Sequence, residues 1–349
     1  MNPVEHLRTL IARRIHSKSF FIVLLAFLAS LVVVAALIFA AGANPLHAYE
    51  DMLRASLGRY YGRGEVIGKA IPLILIAVGI SVGLRAGLTN LGGDGQFFIG
   101  ALVSVSVGLR LSSQHPVLAV TLALVAAMFF GGLWAALAGV LRAHLDTNEV
   151  ITTIMLNYVA LLLLQYMVAG PMKPPGSFLP QSATLPQAVR LPSLLMGTSA
   201  HYGIFIALAA LVFLYLLFSK SVVGYRIRAV GQGVDAARYS GIGTRRYIVF
   251  AMFMSGAFAG VAGAVEVFGI HHRVLDGISL NYGFTGVVVA LLGGVRPLGI
   301  LGAALLLSVL RVGANAMQVT QGIPVSVVFI LESLIILFAL VGDGLRHRR

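Results

Sequence analysis

Apolar runs of about 20 residues recur along the whole chain, parted by short polar segments. Ten spans are legible, near 20–41, 68–84, 95–111, 116–141, 150–170, 202–219, 246–270, 281–293, 297–317 and 324–341. Runs of that length match a hydrocarbon layer of about 30 Å and predict spanning helices rather than a barrel. The third and eighth runs are short and glycine-rich, so their ends are the least defined. The first, from Phe20 to about Ala41, has no A-x-A-like cleavage site after it. It is too long for a signal-peptide core and reads as a retained first helix. The expected fold class is an all-α polytopic membrane protein of about ten helices.

Composition agrees. The chain has 349 residues, 58% hydrophobic and 11% charged, with a mean hydropathy of +0.94. A soluble domain carries about 25% charged residues. Cysteine is absent, which excludes a disulfide framework, thiolate metal sites and cysteine nucleophiles. The net charge of +13 reads as topology rather than nucleic-acid binding, because no basic stretch is interleaved with aromatics. With the N-terminus placed inside, 16 of the 25 Lys and Arg fall on the inner side. Ten spans also return the "RHRR" tail to that side, so parity and charge agree. One transmembrane domain, 1–349, is expected. It has an inner N-terminal segment (1–19), a long Pro-rich outer loop (171–201) and a long inner loop (219–247). The outer loop has no apolar period and should be extended, with room for a short helix on the membrane.

The stretch "GLRAGLTNLGGDGQFFIG", 83–100, breaks the pattern. Unwound backbone at membrane depth survives only where protein buries it or water reaches it. Gly92, Gly93 and Gly95 permit unwinding, and a helix restarting near Gly95 would aim free N–H groups at the break. Asp94 could cap that restart. Asn90 and Gln96 offer donors and acceptors to a polar solute. These residues are expected to line a substrate pathway; the plainer alternative is a wet turn between two spans. A second Gly/Asn/Asp-bearing break, "LDGISLNYGFTGVVVALLGG", follows the seventh span. The two breaks suggest inverted repeats with broken helices, the usual sequence pointer to a transport path.

Three further features carry polar chemistry. In "LDTNEVITTIMLNYV", Asp146 or Thr147 should start a helix with Glu149 in its first turn. Glu149, Thr153 and Asn157 then share one face. Thr153 could simply bond its own backbone, whereas Asn157 should face the bundle interior and join the pathway. Glu266 and Glu332 lie near spans and are open to a proton-coupling role. His271 and His272 read as an exterior loop, not a metal site.

The inner loop "GYRIRAVGQGVDAARYSGIGTRR" is more than a positive anchor. Gly231 and Gly233 flank a turn, and a short helix follows. Asp235 sits in its first turn, Arg238 follows, and Gly241 stops it. So short a helix needs a partner surface, and Ala236 and Ala237 give it a small-residue face.

Four segments together carry a resemblance. "GLTNLGGDGQFFIGA", "TNEVITTIMLNYVA", "GYRIRAVGQGVDAARYSGI" and "GVVVALLGGVRPLG" occur in that order. They resemble the motifs of bacterial ABC-importer permeases of the branched-chain amino acid, ribose and nucleoside group, over nearly the whole chain. The "MLNY" and "GQ" forms are similar to the nucleoside-type branch. One departure is visible: Gly92-Gly93-Asp94 stands where the family often has Ala-Glu, so the acid is kept but shortened.

The resemblance implies a type II importer fold in the bacterial inner membrane, with both termini cytoplasmic. It implies a pore subunit without catalytic residues. Its partners would be a second permease (a heterodimer, or alternatively a homodimer), two cytoplasmic ATP-binding subunits, an external substrate-binding protein and membrane lipid. No phosphate loop of the G-x-x-x-x-G-K-[ST] form occurs, so ATP and Mg would sit on the partner ATPase. Arg228, Gly231, Asp235, Ala236, Ala237, Arg238 and Gly241 would form the ATPase-coupling segment. Nucleosides are the first solute implied, with simple sugars and other polar metabolites next. Rival classes are a proton-coupled secondary transporter, a channel and, least, a membrane enzyme, for which no H-E-x-x-H or G-x-S-x-G motif appears.

Overall fold

The computed structural model describes residues 28–40, 42–112 and 115–323, together with positions 326, 330, 333 and 334. In chain order the helices are α1 (Leu28–Ala40), α2 (Pro45–Leu53), α3 (Tyr60–Arg85), α4 (Gly93–Leu111), α5 (Pro116–Leu145) and α6 (Glu149–Ala169). There follow α7 (Gly203–Lys220), α8 (Val222–Gln232), α9 (Val234–Tyr239), α10 (Thr244–Glu266), α11 (Tyr282–Leu292) and α12 (Pro297–Gln321). Among the described residues the only β pairing is two isolated bridges.

Among the described residues, seven helices are long and apolar enough to cross a bilayer: α3, α4, α5, α6, α7, α10 with its π-helical extension, and α12. They coincide with the second to seventh and the ninth predicted spans. The first span is described only in its later part, as α1. The tenth is described only at positions 326, 330, 333 and 334, and Glu332 lies outside the described residues. The eighth requires correction. It is α11, 11 residues long, which at about 1.5 Å per residue covers roughly half of a bilayer core. The helix cannot extend backwards because Asn281 takes a left-handed φ of 58° and the segment before it is not helical.

Local chemistry sets the ends. Pro116 opens α5 at its first turn, where a missing N–H costs nothing. Asn148, not Asp146 or Thr147, caps α6: its side chain accepts from Val150 N at 2.9 Å. Asp146 instead ends α5 in a left-handed conformation. Gly241, at φ 78°, closes α9 as expected.

The chain divides into two compact units, 1–63 with 309–349, and 64–308. In the first, Tyr49 donates to Leu31 O at 2.6 Å, and Thr320 and Gln321 both donate to Asp51. The second holds the core. There α4, α5 and α10 pack through small residues: a Cβ on Gly100 would lie 2.2 Å from Gly260 O, and one on Gly131 would lie 2.8 Å from Gly256 O. Between helices in lipid, close backbone approach replaces the hydrophobic drive that water would supply. The Pro-rich loop 171–201 is pinned as an extended strip, by Leu185 N to His272 O at 2.7 Å and Leu191 N to Phe268 O at 2.9 Å. Its one regular turn is a 3-10 helix at Gln187–Val189.

Candidate functional site

The break between α3 and α4 is held by a ladder from α6. Glu149, Thr153 and Asn157, spaced four apart on one helix face, each meet its backbone. Glu149 Oε1 accepts from Thr89 N at 3.4 Å and Thr153 Oγ1 from Leu91 N at 3.3 Å. Asn157 does the most: its Oδ1 accepts from Gly95 N at 2.7 Å, and its Nδ2 donates to Leu91 O at 2.8 Å. One side-chain amide thus satisfies a helix-start N–H and an unwound carbonyl together. Arg142 fixes the base of the ladder through Glu149 Oε2 at 3.3 Å.

Asn90 and Gln96 are employed by the protein itself. Asn90 Oδ1 accepts from Gly92 N at 2.8 Å and from Gln96 Nε2 at 3.0 Å, while its Nδ2 donates to Gln96 Oε1 and to Ser255 Oγ. Both are buried. Their amides close the break from behind rather than opening onto a cavity in this conformation.

Asp94 does not cap its own helix. It reaches across to the start of α11, where its Oδ1 accepts from Gly283 N at 2.9 Å and from the Ser279 hydroxyl. Glycines allow this: a Cβ on Gly93 would lie 2.8 Å from Gly283 Cα, and one on Gly283 would lie 2.3 Å from Asp94 N. The N-terminal ends of α4 and α11 therefore meet, with a carboxylate between them. That is the best environment for an acid near two helix dipoles.

Beside this junction lies a cavity of about 340 Å³. Asp94 and Phe98 of α4 line it, with Ile154, Asn157, Tyr158, Leu161 and Gln165 of α6. Asp276, Gly277, Ser279 and Asn281 of the segment before α11, and Phe284 of α11, close the other side. Of the residues expected in the pathway, Asp94 and Asn157 reach this cavity. Asn90, Gly92, Gly93, Gly95, Gln96 and Thr153 stand behind it as its frame. The sequence reading missed Phe98, Tyr158, Gln165, Asp276 and Phe284. Phe98 and Tyr158 sat inside stretches already singled out, and the second polar break carries Asp276 and Phe284; Gln165 had no sequence signal.

The profile of the branched-chain amino acid transport system permease component family matches residues 63–340. The chain belongs to that permease family. Its relatives include a nucleoside ABC transporter permease of Lactococcus lactis, 36% identical over 87% of this chain and 86% of the relative. A guanosine ABC transporter permease of Bacillus subtilis is 34% identical, covering 93% of each chain. A glucose ABC transporter permease of Haloferax volcanii is 33% identical over 92% of this chain and 87% of the relative.

The 219–247 segment of the permease holds two short helices, not one. Gly231 lies within the last turn of α8, and Gly233 makes the joint to α9, so the turn expected between Gly231 and Gly233 is replaced by helix up to Gln232. Ala237 is buried within the permease's own fold, whereas Ala236 faces outward. Asp235 and Arg238 lie 4.0 Å apart on the exposed side. Tyr239, unnoticed in the sequence, is 94% exposed. Arg228 is a charged neighbour of Arg85 at the end of α3.

At the end of α10, Glu266 is buried, with Oε1 3.4 Å from His271 Nε2. Nearby His201 is 1% exposed. Its Nδ1 accepts from Gly203 N at 3.1 Å, which places the proton on Nε2. That nitrogen is buried without a partner. Burial, and then the nearby His272, hold the His201 ring down at about 4 from an ordinary 6.5.

Proposed function

We propose that this chain is the membrane-spanning subunit of an ATP-driven importer of nucleosides, and that the cavity between α4, α6 and α11 is where the solute passes. The chemistry of the cavity wall carries the reading. Phe98, Tyr158 and Phe284 offer aromatic faces for a flat base. Asp94, Asp276, Asn157, Gln165 and Asn281 offer the acceptors and amides that sugar hydroxyls and base edges need. Among the described residues, no Lys, Arg or His lines the cavity, and Asp94 already occupies the start of α11. An amino-acid carboxylate would find no positive partner there. A volume near the small end of the usual range of about 300–1,000 Å³ fits a solute of this size.

The relatives named for nucleosides and guanosine support the same choice. A sugar is the second reading, supported by the glucose relative, but three aromatic walls exceed what one sugar ring requires. The rims of the cavity, Gln165, Asp276 and Asn281, are too polar to face hydrocarbon. A second permease covering α6 would complete the path. α9, with Val234, Asp235, Ala236, Arg238 and Tyr239 outward, is the surface for a separate ATPase that binds ATP and Mg. An external binding protein would deliver the solute at the outer strip, and both termini would lie inside.

The test is uptake into proteoliposomes holding the permease with its second permease, ATPases and binding protein. Labelled nucleoside should accumulate only with ATP, and excess glucose should not compete. Accumulation driven by a proton gradient without ATP would overturn the importer reading, and transport of glucose alone would overturn the solute.

A further inference from the structure

Gly231 and Gly87 touch backbone to backbone. A Cβ on Gly231 would lie 2.3 Å from Arg85 O and 2.9 Å from Gly87 N, and one on Gly87 would lie 3.3 Å from Gly231 Cα. No side chain stands between them, so no rotamer change can absorb a shift of one against the other. Gly87 holds a left-handed φ of 75°, in the turn that ends α3. Arg85 fastens that turn, donating to Val295 O at 2.9 Å and lying 4.6 Å over the Phe218 ring. Two residues beyond Gly87 the backbone enters the α6 ladder at Thr89. The break then ends at Gly93, itself pressed on Gly283. Two glycine-on-glycine contacts therefore bracket the break, one toward the inner loop and one toward the cavity.

We propose that the Gly231–Gly87 contact is the joint through which movement of α8 and α9 reaches the polar break and, through it, the cavity. The assignment rests on the reading of α9 as the ATPase-docking helix. α8 also packs on α7 and α10, which are long spanning helices. The Gly87 turn alone runs straight into the unwound segment. A rigid shift of α8 must carry residues 85–87 with it, and the strand of backbone at 88–92 is the first element able to change shape in response. Gly231 and Gly87 are positioning residues, because neither touches the solute.

The experiment uses the complete transporter in proteoliposomes and reads solute moved per ATP hydrolysed. Gly231→Ala should keep its ATPase on co-purification but move at least about fivefold less solute per ATP, the usual span of a coupling free energy. Gly233→Ala is the control two residues away. Its φ of 174° suits any residue, and a Cβ there would meet only Ala236 Cβ, at 3.7 Å, so it should match the parent. A normal ratio in Gly231→Ala overturns the joint. So does loss of the ATPase from that variant, which would make Gly231 part of the docking surface while leaving the docking reading intact. Tyr239→Arg tests that reading separately, since it should release the ATPase. Hydrogen exchange on the unaltered transporter removes any question of misfolding. Amides 87–92 should change protection when a non-hydrolysable ATP analogue binds, and unchanged protection there overturns the proposal.

Discussion

Replacing Asn157 with Leu is the sharpest perturbation of the site. The two side chains share the same branching, and the adjoining cavity can take up the bulkier methyls, while both hydrogen bonds vanish. Gly95 N and Leu91 O lose partners at 2.7 and 2.8 Å in a buried junction that water reaches poorly. Each orphaned group costs about 1–3 kcal/mol, so the variant should lose about 2–6 kcal/mol. Thr153→Val removes the acceptor for Leu91 N together with the hydroxyl's own bond to Glu149 O at 2.7 Å; since only Leu91 N is left without a partner, it should lose about half as much. The single Trp of the chain is a built-in reporter. Trp134 Nε1 donates to Leu156 O at 3.3 Å, one residue from Asn157, so its fluorescence follows melting of this region. At roughly 2 °C per kcal/mol for a long chain, the Leu midpoint should fall by about 4–12 °C. If Asn157→Leu melts with the parent, or Thr153→Val melts below it, the ladder does not hold the break.

Three other outcomes follow from the same geometry. His201 has a folded pKa depressed to about 4 from 6.5, so its contribution is complete above pH 6.5 and lost as pH falls through 4. The loss approaches about 3 kcal/mol; a melting-midpoint series from pH 7.5 to 4 should show it, and His201→Phe should flatten that slope, with Arg190, His271 and Arg273 left as the charges around His272. Gly260→Val should abolish accumulation of folded permease in membranes, because a Cβ there lies 2.2 Å from Ala127 O; normal yield on immunoblot would refute the close packing. Phe284→Ala should weaken nucleoside uptake by at least about fivefold, the loss of one stacking surface, with the ATPase still bound; unchanged uptake would take the cavity out of the path.

The spans were legible because hydropathy over about 20 residues is a strong signal, and six predicted runs fall on helices almost end to end. The eighth run, 281–293, matches α11 within a residue at each end; the misreading was to count so short a run as a full span because its apolar content is high. The Glu149–Thr153–Asn157 face was legible from spacing alone, yet its target was not, since that needs the position of residues 89–95 in space. Asn90 and Gln96 show the opposite limit. A buried amide announces that a partner exists without saying whether the partner is solute or protein. Here they find each other, Ser255 and Gly92. Ala236 and Ala237 looked equivalent in sequence, but helical phase alone turns one outward and the other in.

The shortened acid now has a physical account. Two helix starts that meet bring two partial positive charges together, each equivalent to roughly half an elementary charge. Left bare, that junction would attract anions, as helix starts generally do. Asp94 fills it from within, and it reaches Gly283 N only because Gly93 and Gly283 let the two backbones touch. A glutamate, one carbon longer, would have to fold back or push its carboxylate toward the cavity. With Asp94 in place the junction is close to neutral, and the remaining cavity charge is the exposed Asp276, partly engaged by Gln165 at 3.2 Å. Under the proposed function, such a site disfavours anions, which would meet a carboxylate without a compensating cation, and suits neutral solutes rich in hydroxyls and ring nitrogens.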